Sequence, residues 1–417
     1  MQGLSPLQQT GIIFLTTRGL LLLLTPVVFW LVLQGIPDWL GTYAPWHFNP
    51  VETFSGAGHY FLEPWARWDS EWYLKIARQG YDSGNSSAAF FPLYPLAIAA
   101  FHFVFFGSYS LAGFFVSTVS CLASFYLLFR LAEIDFGQKV ARRAVLYLAV
   151  FPTTFFLQAI YTESLFLALS IGSLLAARRQ RYVLAGAAGG LAALTRNTGI
   201  LLIVPLAIIY LQERQWRWRR VRADGMYLLL VPAGLGVWMA YLKATFGNAL
   251  LFASVQGGWG RQFVSPLQGG PFTSLFDGLV AAGQGLGHII AGPVTSVWPR
   301  VASDPGLLGS IGLLDFIFAI VFVMVALTGL RRLPVAYTAY ALLVLLVPLS
   351  YPHISGTDYN PAPLYSMPRF VLEAFPVFIM LAVWGSRKRW VSRLILLTSV
   401  PLLVFLATRF AIGEWVA

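Results

Sequence analysis

One carboxylate in a strongly apolar neighbourhood is the first residue with chemical potential. Asp69 follows Trp68 and precedes Trp72 and Tyr73, and Trp68, Trp72 and Ile76 recur every four positions with Asp69, Glu71, Lys75 and Arg78 between them. That spacing predicts a helix with an apolar stripe and a polar face, suited to a membrane interface. An acid held there beside aromatic rings is a candidate general base, able to take the proton of an acceptor hydroxyl. The competing reading is an ion pair with Arg67, Lys75 or Arg78 on a wetted face. Glu71, two residues on, points elsewhere on a helix and either supports the site or faces water. Asp69-Ser70-Glu71 also has the form of an acid-x-acid metal pair. Helical spacing of two splays such ligands apart and no third is in view, so a divalent metal is not favoured.

Other candidates lie far along the chain. Glu163 opens an apolar run, where a helix N-terminus would favour a carboxylate with or without a functional role. Arg196, next to Asn197, closes another run; it is either a site residue or a snorkelling side chain. Arg369 stands just after Pro368. Its planar fork matches phosphate oxygens, such as those of a lipid-phosphate leaving group, although Glu373 one turn on is an alternative partner. His353 and Asp358 share one loop and are either part of the site or plain surface. Arg409 and Trp415 read as interface anchors.

The elements that position these residues must be membrane helices. Of the 417 residues 58% are hydrophobic and 11% charged, where soluble domains carry about 25% charged residues. The apolar runs are continuous and do not alternate, which excludes a transmembrane barrel. Expected spans fall near 11–33, 109–131, 143–159, 163–177, 182–195, 198–212, 226–246, 307–330, 333–350, 368–384 and 392–411, in one domain over 1–417. The first reads as an uncleaved signal anchor. The net charge of +11 does not indicate nucleic acid, because the basic residues form short clusters between spans. With the N-terminus in the cytoplasm and 90–106 lying in the interface, the clusters at 139–143, 178–181, 214–222, 331–332 and 387–393 all face inward. The loop 34–108, with its juxtamembrane helices, and the loop 247–306, with interfacial helices around Trp259, Phe263, Phe276 and Trp298, then face outward, together with every candidate above. The single Cys121 reads as a small core residue.

Trp68-Asp69 with Tyr73, Ile76-Ala77 and Gly80-Tyr81, followed by Ala89-Phe90-Phe91-Pro92-Leu93-Tyr94-Pro95, resembles the PIG-V family of GPI mannosyltransferases and its bacterial relatives. Tyr161-Thr162-Glu163-Ser164, Arg196-Asn197 with Gly199, and Pro368-Arg369-Phe370 with Phe375-Pro376 look like later landmarks of that family in the same order. The resemblance implies an all-α polytopic GT-C bundle of about eleven membrane helices. It also implies a polyprenyl-phosphate sugar donor and Asp69 as the base. The expected activity is inverting transfer of a sugar, mannose by that resemblance, to a lipid-linked or glycan acceptor on the outer face of a bacterial plasma membrane. Such geometry needs one base opposite the leaving group. Glu71, Glu163, Arg196, Arg369 and His353 would then help bind substrate. Trp65, Trp68, Trp72 and Tyr94 would stack on sugar or polyprenyl, or simply anchor the interface. No glycine-rich phosphate loop is present, so no nucleotide sugar is expected, nor any cofactor. The rival from another class is a transporter or lipid flippase. It would place charges near the bilayer midplane and show two repeated halves, and neither is visible.

Overall fold

The computed structural model describes residues 3–33, 57–82, 86–291, 308–353, 363–411, 413 and 416. Asp358, Trp298 and Trp415 lie outside them. Every named element among the described residues is helical. In chain order these are α1 (Pro6–Leu33), α2 (Ala57–Phe61), α3 (Asp69–Gln79), α4 (Leu93–Phe101), α5 (Tyr109–Ala149), α6 (Glu163–Arg178), α7 (Tyr182–Thr195), α8 (Ile203–Glu213), α9 (Leu230–Phe246), α10 (Leu251–Ser254), α11 (Gly270–Ala291), α12 (Leu308–Gly329), α13 (Val335–Ser350), α14 (Met367–Phe370), α15 (Pro376–Arg387) and α16 (Arg389–Ala411).

Five stretches are long and apolar enough to cross a bilayer: Pro6–Val28, Tyr109–Ala149, Ala223–Phe246, Gly312–Gly329 and Arg389–Ala411. Met367–Glu373 and Pro376–Arg387, meeting at 83°, add a sixth if they form one broken span. The remaining expected spans contain helices of 11 to 16 residues, short of the roughly 20 needed to cross about 30 Å. The shortfall lies at one end of the bundle, where Thr154–Leu157 and Asn197–Leu202 are 3₁₀ turns. The stretch 143–159, expected to be a span, is helical only to Ala149. The 247–306 loop also differs from expectation: besides short turns it supplies the 22-residue helix α11, which packs along α12 and α13.

Helix α5 has 41 residues and is interrupted at Gly137, whose φ of 74° is open to glycine without penalty. The chain turns back there. Gly113, near the start of α5, lies against Ile160, and Ser117 Oγ donates to the Tyr161 carbonyl at 3.4 Å. Helix α4 and the 3₁₀ turn His102–Phe105 together form a short apolar helix, below the roughly 20 residues that a span needs, as α7 and α8 are. Its start follows Pro92, whose fixed φ suits a helix N-terminus.

Small residues let α7 and α9 approach backbone to backbone. A Cβ on Gly190 or Gly234 would strike the other helix's main chain. Replacing Gly234 by Ala is expected to cost about 1–3 kcal/mol through forced separation of these helices. An unchanged thermal unfolding midpoint in detergent would disprove this contact's importance.

The two ends of the bundle differ in charge. Exposed Arg179, Arg181, Arg217, Arg219, Arg220, Arg222, Arg331, Arg332, Arg387 and Arg389 lie where α6, α8, α12 and α15 end and where α7, α13 and α16 begin, and exposed Lys139 follows the turn of α5 at Gly137. Two clips brace this end: Arg178 to Asp135 at 2.5 Å and Arg214 to Asp224 at 2.7 Å. The candidate site lies at the opposite ends of the same helices.

Candidate active site

Asp69 is the first residue of α3. Trp68 ahead of it has φ 56°, a left-handed backbone uncommon for a bulky residue, which breaks the chain just before the helix begins. Of the expected stripe of Trp68, Trp72 and Ile76 only Ile76 is fully buried, and Trp68 and Trp72 are half-buried. Ser70, Tyr73 and Leu74 complete the buried face, because α3 packs through Tyr73 against Tyr94 of α4 and Phe90 just before it. The Asp69 amide donates to Tyr161 Oη at 3.3 Å, and that hydroxyl donates to the Arg67 carbonyl at 3.1 Å. These bonds fix the acid against the turn before α6.

The partner of Asp69 is none of the nearby cations. Arg67 lies 3.9 Å from Glu63. The Asp69 carboxylate takes Arg369 Nη1 on Oδ2 at 2.5 Å, across 300 positions of sequence. Arg369 Nε donates in turn to Glu163 Oε1. The same Glu163 oxygen accepts Arg196 Nη1 at 2.8 Å. Arg196 Nε reaches Glu373 Oε1 at 2.8 Å, and Thr198 Oγ1 donates to Glu373 Oε2 at 2.6 Å. The result is one buried chain of alternating charge, Asp69–Arg369–Glu163–Arg196–Glu373. The Arg369 guanidinium also lies 4.5 Å from the Tyr161 ring centre, a cation–π contact. Each ion in the chain is paired, as burial in a low-dielectric interior demands.

A cavity of about 240 Å³ opens on this chain, and Asp69, Arg196, Arg369 and Glu373 line it. Asp69 Oδ1 takes no hydrogen bond from the described residues, so one carboxylate oxygen is left for a ligand while the other is held by Arg369. Thr162, Asn197 and Thr198 add neutral polar groups, and Phe90, Trp259, Tyr351 and Tyr365 form much of the remaining wall.

The other expected site residues take different places. Glu163 sits beneath the cavity as the central bridge, 1% exposed, with Oε2 unpartnered. Glu71 does not line the cavity; burial raises its carboxyl above the ordinary range, with Lys75 opposing. Trp68 closes the entry to α3. Trp72 stacks on Phe90 at 5.4 Å and stands edge-on to Trp259, one layer behind the wall. Tyr94 is fully buried and hydrogen-bonds Ser117 at 2.6 Å, so it is tied into the core. His353 stands behind the wall against Tyr365, and burial, then the charge of Arg261, hold its imidazole below the ordinary range. Gly260, at φ 68°, makes room for that ring. Among the described residues, no three His, Cys, Asp or Glu side chains gather as a metal site.

Two charged residues near this end were not singled out from sequence. Arg261 lines the cavity, and Asp315 lies 1% exposed on α12. Arg261 carries the signal that marked Arg196 and Arg369: an arginine on the side away from the basic clusters.

Residues 90–242, somewhat over a third of the chain, match the family model described as dolichyl-phosphate-mannose-protein mannosyltransferase. That segment contains Glu163 and Arg196 but neither Asp69 nor Arg369. No curated protein gives a significant match. Among solved structures, the chain is similar to the archaeal oligosaccharyltransferase AglB from Archaeoglobus fulgidus, in complex with an inhibitory peptide and a dolichol-phosphate. That similarity has 15% identity and a TM-score of 0.44, over 97% of this chain and 56% of that one. The chain thus spans about half the length of AglB. It is also similar to ArnT from Cupriavidus metallidurans in the apo state, at 16% identity and a TM-score of 0.39, over 82% of this chain and 72% of that one.

Proposed function

We propose that the protein is a membrane glycosyltransferase of GT-C type, taking its sugar from a polyprenyl-phosphate donor and passing it to an acceptor hydroxyl at the outer face. The observation that carries this reading is the Asp69 carboxylate. It lines the cavity with one oxygen bonded to Arg369 and the other taking no hydrogen bond among the described residues, at the end of the bundle opposite the basic clusters. The family model over residues 90–242 supports the donor class. The charge asymmetry supports an outward-facing site by the positive-inside rule. The place of the acid, at the start of a short helix and not midway along a span, favours catalysis over transport.

In the proposed reaction the acceptor oxygen attacks the anomeric carbon as the bond from that carbon to the phosphate oxygen breaks. The acceptor proton passes to Asp69 Oδ1, and polyprenyl phosphate leaves with the electron pair. The product has inverted configuration. Arg369 keeps the base aimed, since it ties Asp69 to Glu163 through two different nitrogens. Mannose, from the resemblance to the PIG-V family, is the first donor sugar to test, with a lipid-linked or glycan acceptor.

The test is purified protein in lipid nanodiscs, supplied with labelled polyprenyl-phosphate mannose or glucose and a membrane lipid extract. Transfer of label to a lipid or glycan, with inversion, is expected; no transfer from either donor overturns the reading. Within it, Arg369→Lys keeps the charge but cannot hold both carboxylates. A loss in kcat of about tenfold or more is expected, comparable to one charge-assisted hydrogen bond. A wild-type rate would show that the bridge is not needed.

A further inference from the structure

The charges around the cavity do not balance evenly. Arg369 and Arg196 each contact two carboxylates, so neither brings free positive charge to a ligand. Arg261 differs. Among the described residues it has no carboxylate partner; it donates to the main-chain carbonyls of Tyr351 at 3.2 Å and Tyr365 at 2.8 Å. Its guanidinium lies 5.0 Å from the Phe370 ring centre and lines the cavity beside Trp259. The Trp259 indole N–H, its residue also on the cavity wall, is buried without an acceptor among the described residues.

The backbone holds Arg261 in place. Arg261 and His353 form an isolated antiparallel bridge, and Gln262 and Val264 donate to the Pro352 and Ser350 carbonyls at 3.2 and 2.9 Å. Two segments far apart in sequence are thereby clamped around one guanidinium. Burial, opposed by Tyr365, assisted by the nearby Arg369 and opposed more weakly by Asp315 and Asp69, pushes Arg261 down to about 10. It stays protonated at neutral pH, yet an anion beside it would relieve an unfavourable state.

We propose that Arg261, with the Trp259 indole N–H beside it, is the phosphate-binding group of the cavity and holds the lipid phosphate of the donor and of the released product. The assignment rests on the glycosyltransferase reading and moves the phosphate from Arg369, where the sequence alone had placed it, to the cavity arginine that, among the described residues, has no carboxylate within ion-pair distance, Asp315 and Asp69 acting on it only from further off. Asp69 and Arg261 both line the cavity, so the attacking hydroxyl and the leaving phosphate are given separate groups of opposite charge.

The test measures binding and turnover separately. Wild-type protein in phosphatidylcholine nanodiscs is titrated with undecaprenyl phosphate, with undecaprenol and with inorganic phosphate, following thermal stabilisation. Stabilisation by the lipid phosphate alone indicates a lipid-borne phosphate; stabilisation by inorganic phosphate as well indicates that the phosphate group suffices. Both support the assignment if Arg261→Gln weakens the effect by about ten- to a hundredfold, the worth of one or two charge-assisted hydrogen bonds. Arg393→Gln, an exposed change at the basic end, is expected to bind as wild type does. If Arg261→Gln does not fold, Arg261→Lys decides: partial loss of affinity supports the assignment, and wild-type affinity overturns it. A folded Arg261→Gln protein with unaltered phosphate affinity and donor KM also overturns it. Failure of the wild-type protein to transfer any sugar would remove the enzymatic reading, while the binding titration would still judge Arg261 by itself.

Discussion

Changing Asp69 to Asn is expected to lower kcat by about 10²–10⁴, the usual contribution of a positioned general base. The substitution keeps the side-chain volume and can still accept from Arg369 Nη1 through its carbonyl oxygen. What disappears is the carboxylate charge and, at the second oxygen, which takes no hydrogen bond among the described residues, the capacity to accept a proton. Since that side chain is 19% exposed, the lost charge is partly compensated by solvent, and the protein should remain folded and membrane-inserted. Donor affinity should hardly change, because the base contacts the acceptor proton and not the phosphate. Kinetics of the variant beside its size-exclusion profile make the check. Undiminished turnover in a well-folded variant would remove Asp69 from the mechanism.

The second large effect is on stability. Glu163→Gln is expected to cost about 3–5 kcal/mol, the loss typical of removing one partner from a buried ion network. Glu163 Oε1 is the meeting point of Arg369 Nε and Arg196 Nη1. A neutral amide there leaves Arg369 with Asp69 and Arg196 with Glu373, so each buried guanidinium loses one of its two carboxylate partners and the two halves of the chain lose their bridge. A fall in the detergent unfolding midpoint, together with loss of activity, is the expected pair of observations. Pairing the change with Arg196→Gln should cost less than the sum of the two single losses, because both break the same Glu163–Arg196 contact; strict additivity would mean that the groups are not coupled.

Much of this was legible in the sequence, for physical reasons. Apolar runs give membrane helices, because backbone groups in lipid must be satisfied within the segment. Arginines away from the basic clusters gave Arg196 and Arg369, and an acid between tryptophans gave Asp69. The partnerships were not legible. Local spacing suggested Arg67, Lys75 or Arg78 for Asp69 and Glu373 for Arg369, since helical neighbours are all that periodicity can offer. The true pairs, Asp69 with Arg369 and Arg196 with Glu373, depend on how helix ends converge in space. Trp72 and Tyr94 were misplaced for a similar reason: aromatic type does not reveal whether a ring faces a cavity or a neighbouring helix. Arg261 was passed over because its loop was marked by its aromatic residues, Trp259, Phe263, Phe276 and Trp298, as interfacial helices. The charge rule that marked the other arginines applied to it equally.

The bond between Asp69 and Arg369 has a consequence for biogenesis. The acid is synthesised about 300 residues before its partner, a delay on the order of 15–60 s at ordinary translation rates. Until the last third of the protein has left the ribosome, the first loop carries an unneutralised carboxylate that must wait in water at the membrane surface. A nascent or truncated chain would therefore hold Asp69 with no Arg369 to fix it, and the buried charge chain would close only after the segment around residue 369 had been made.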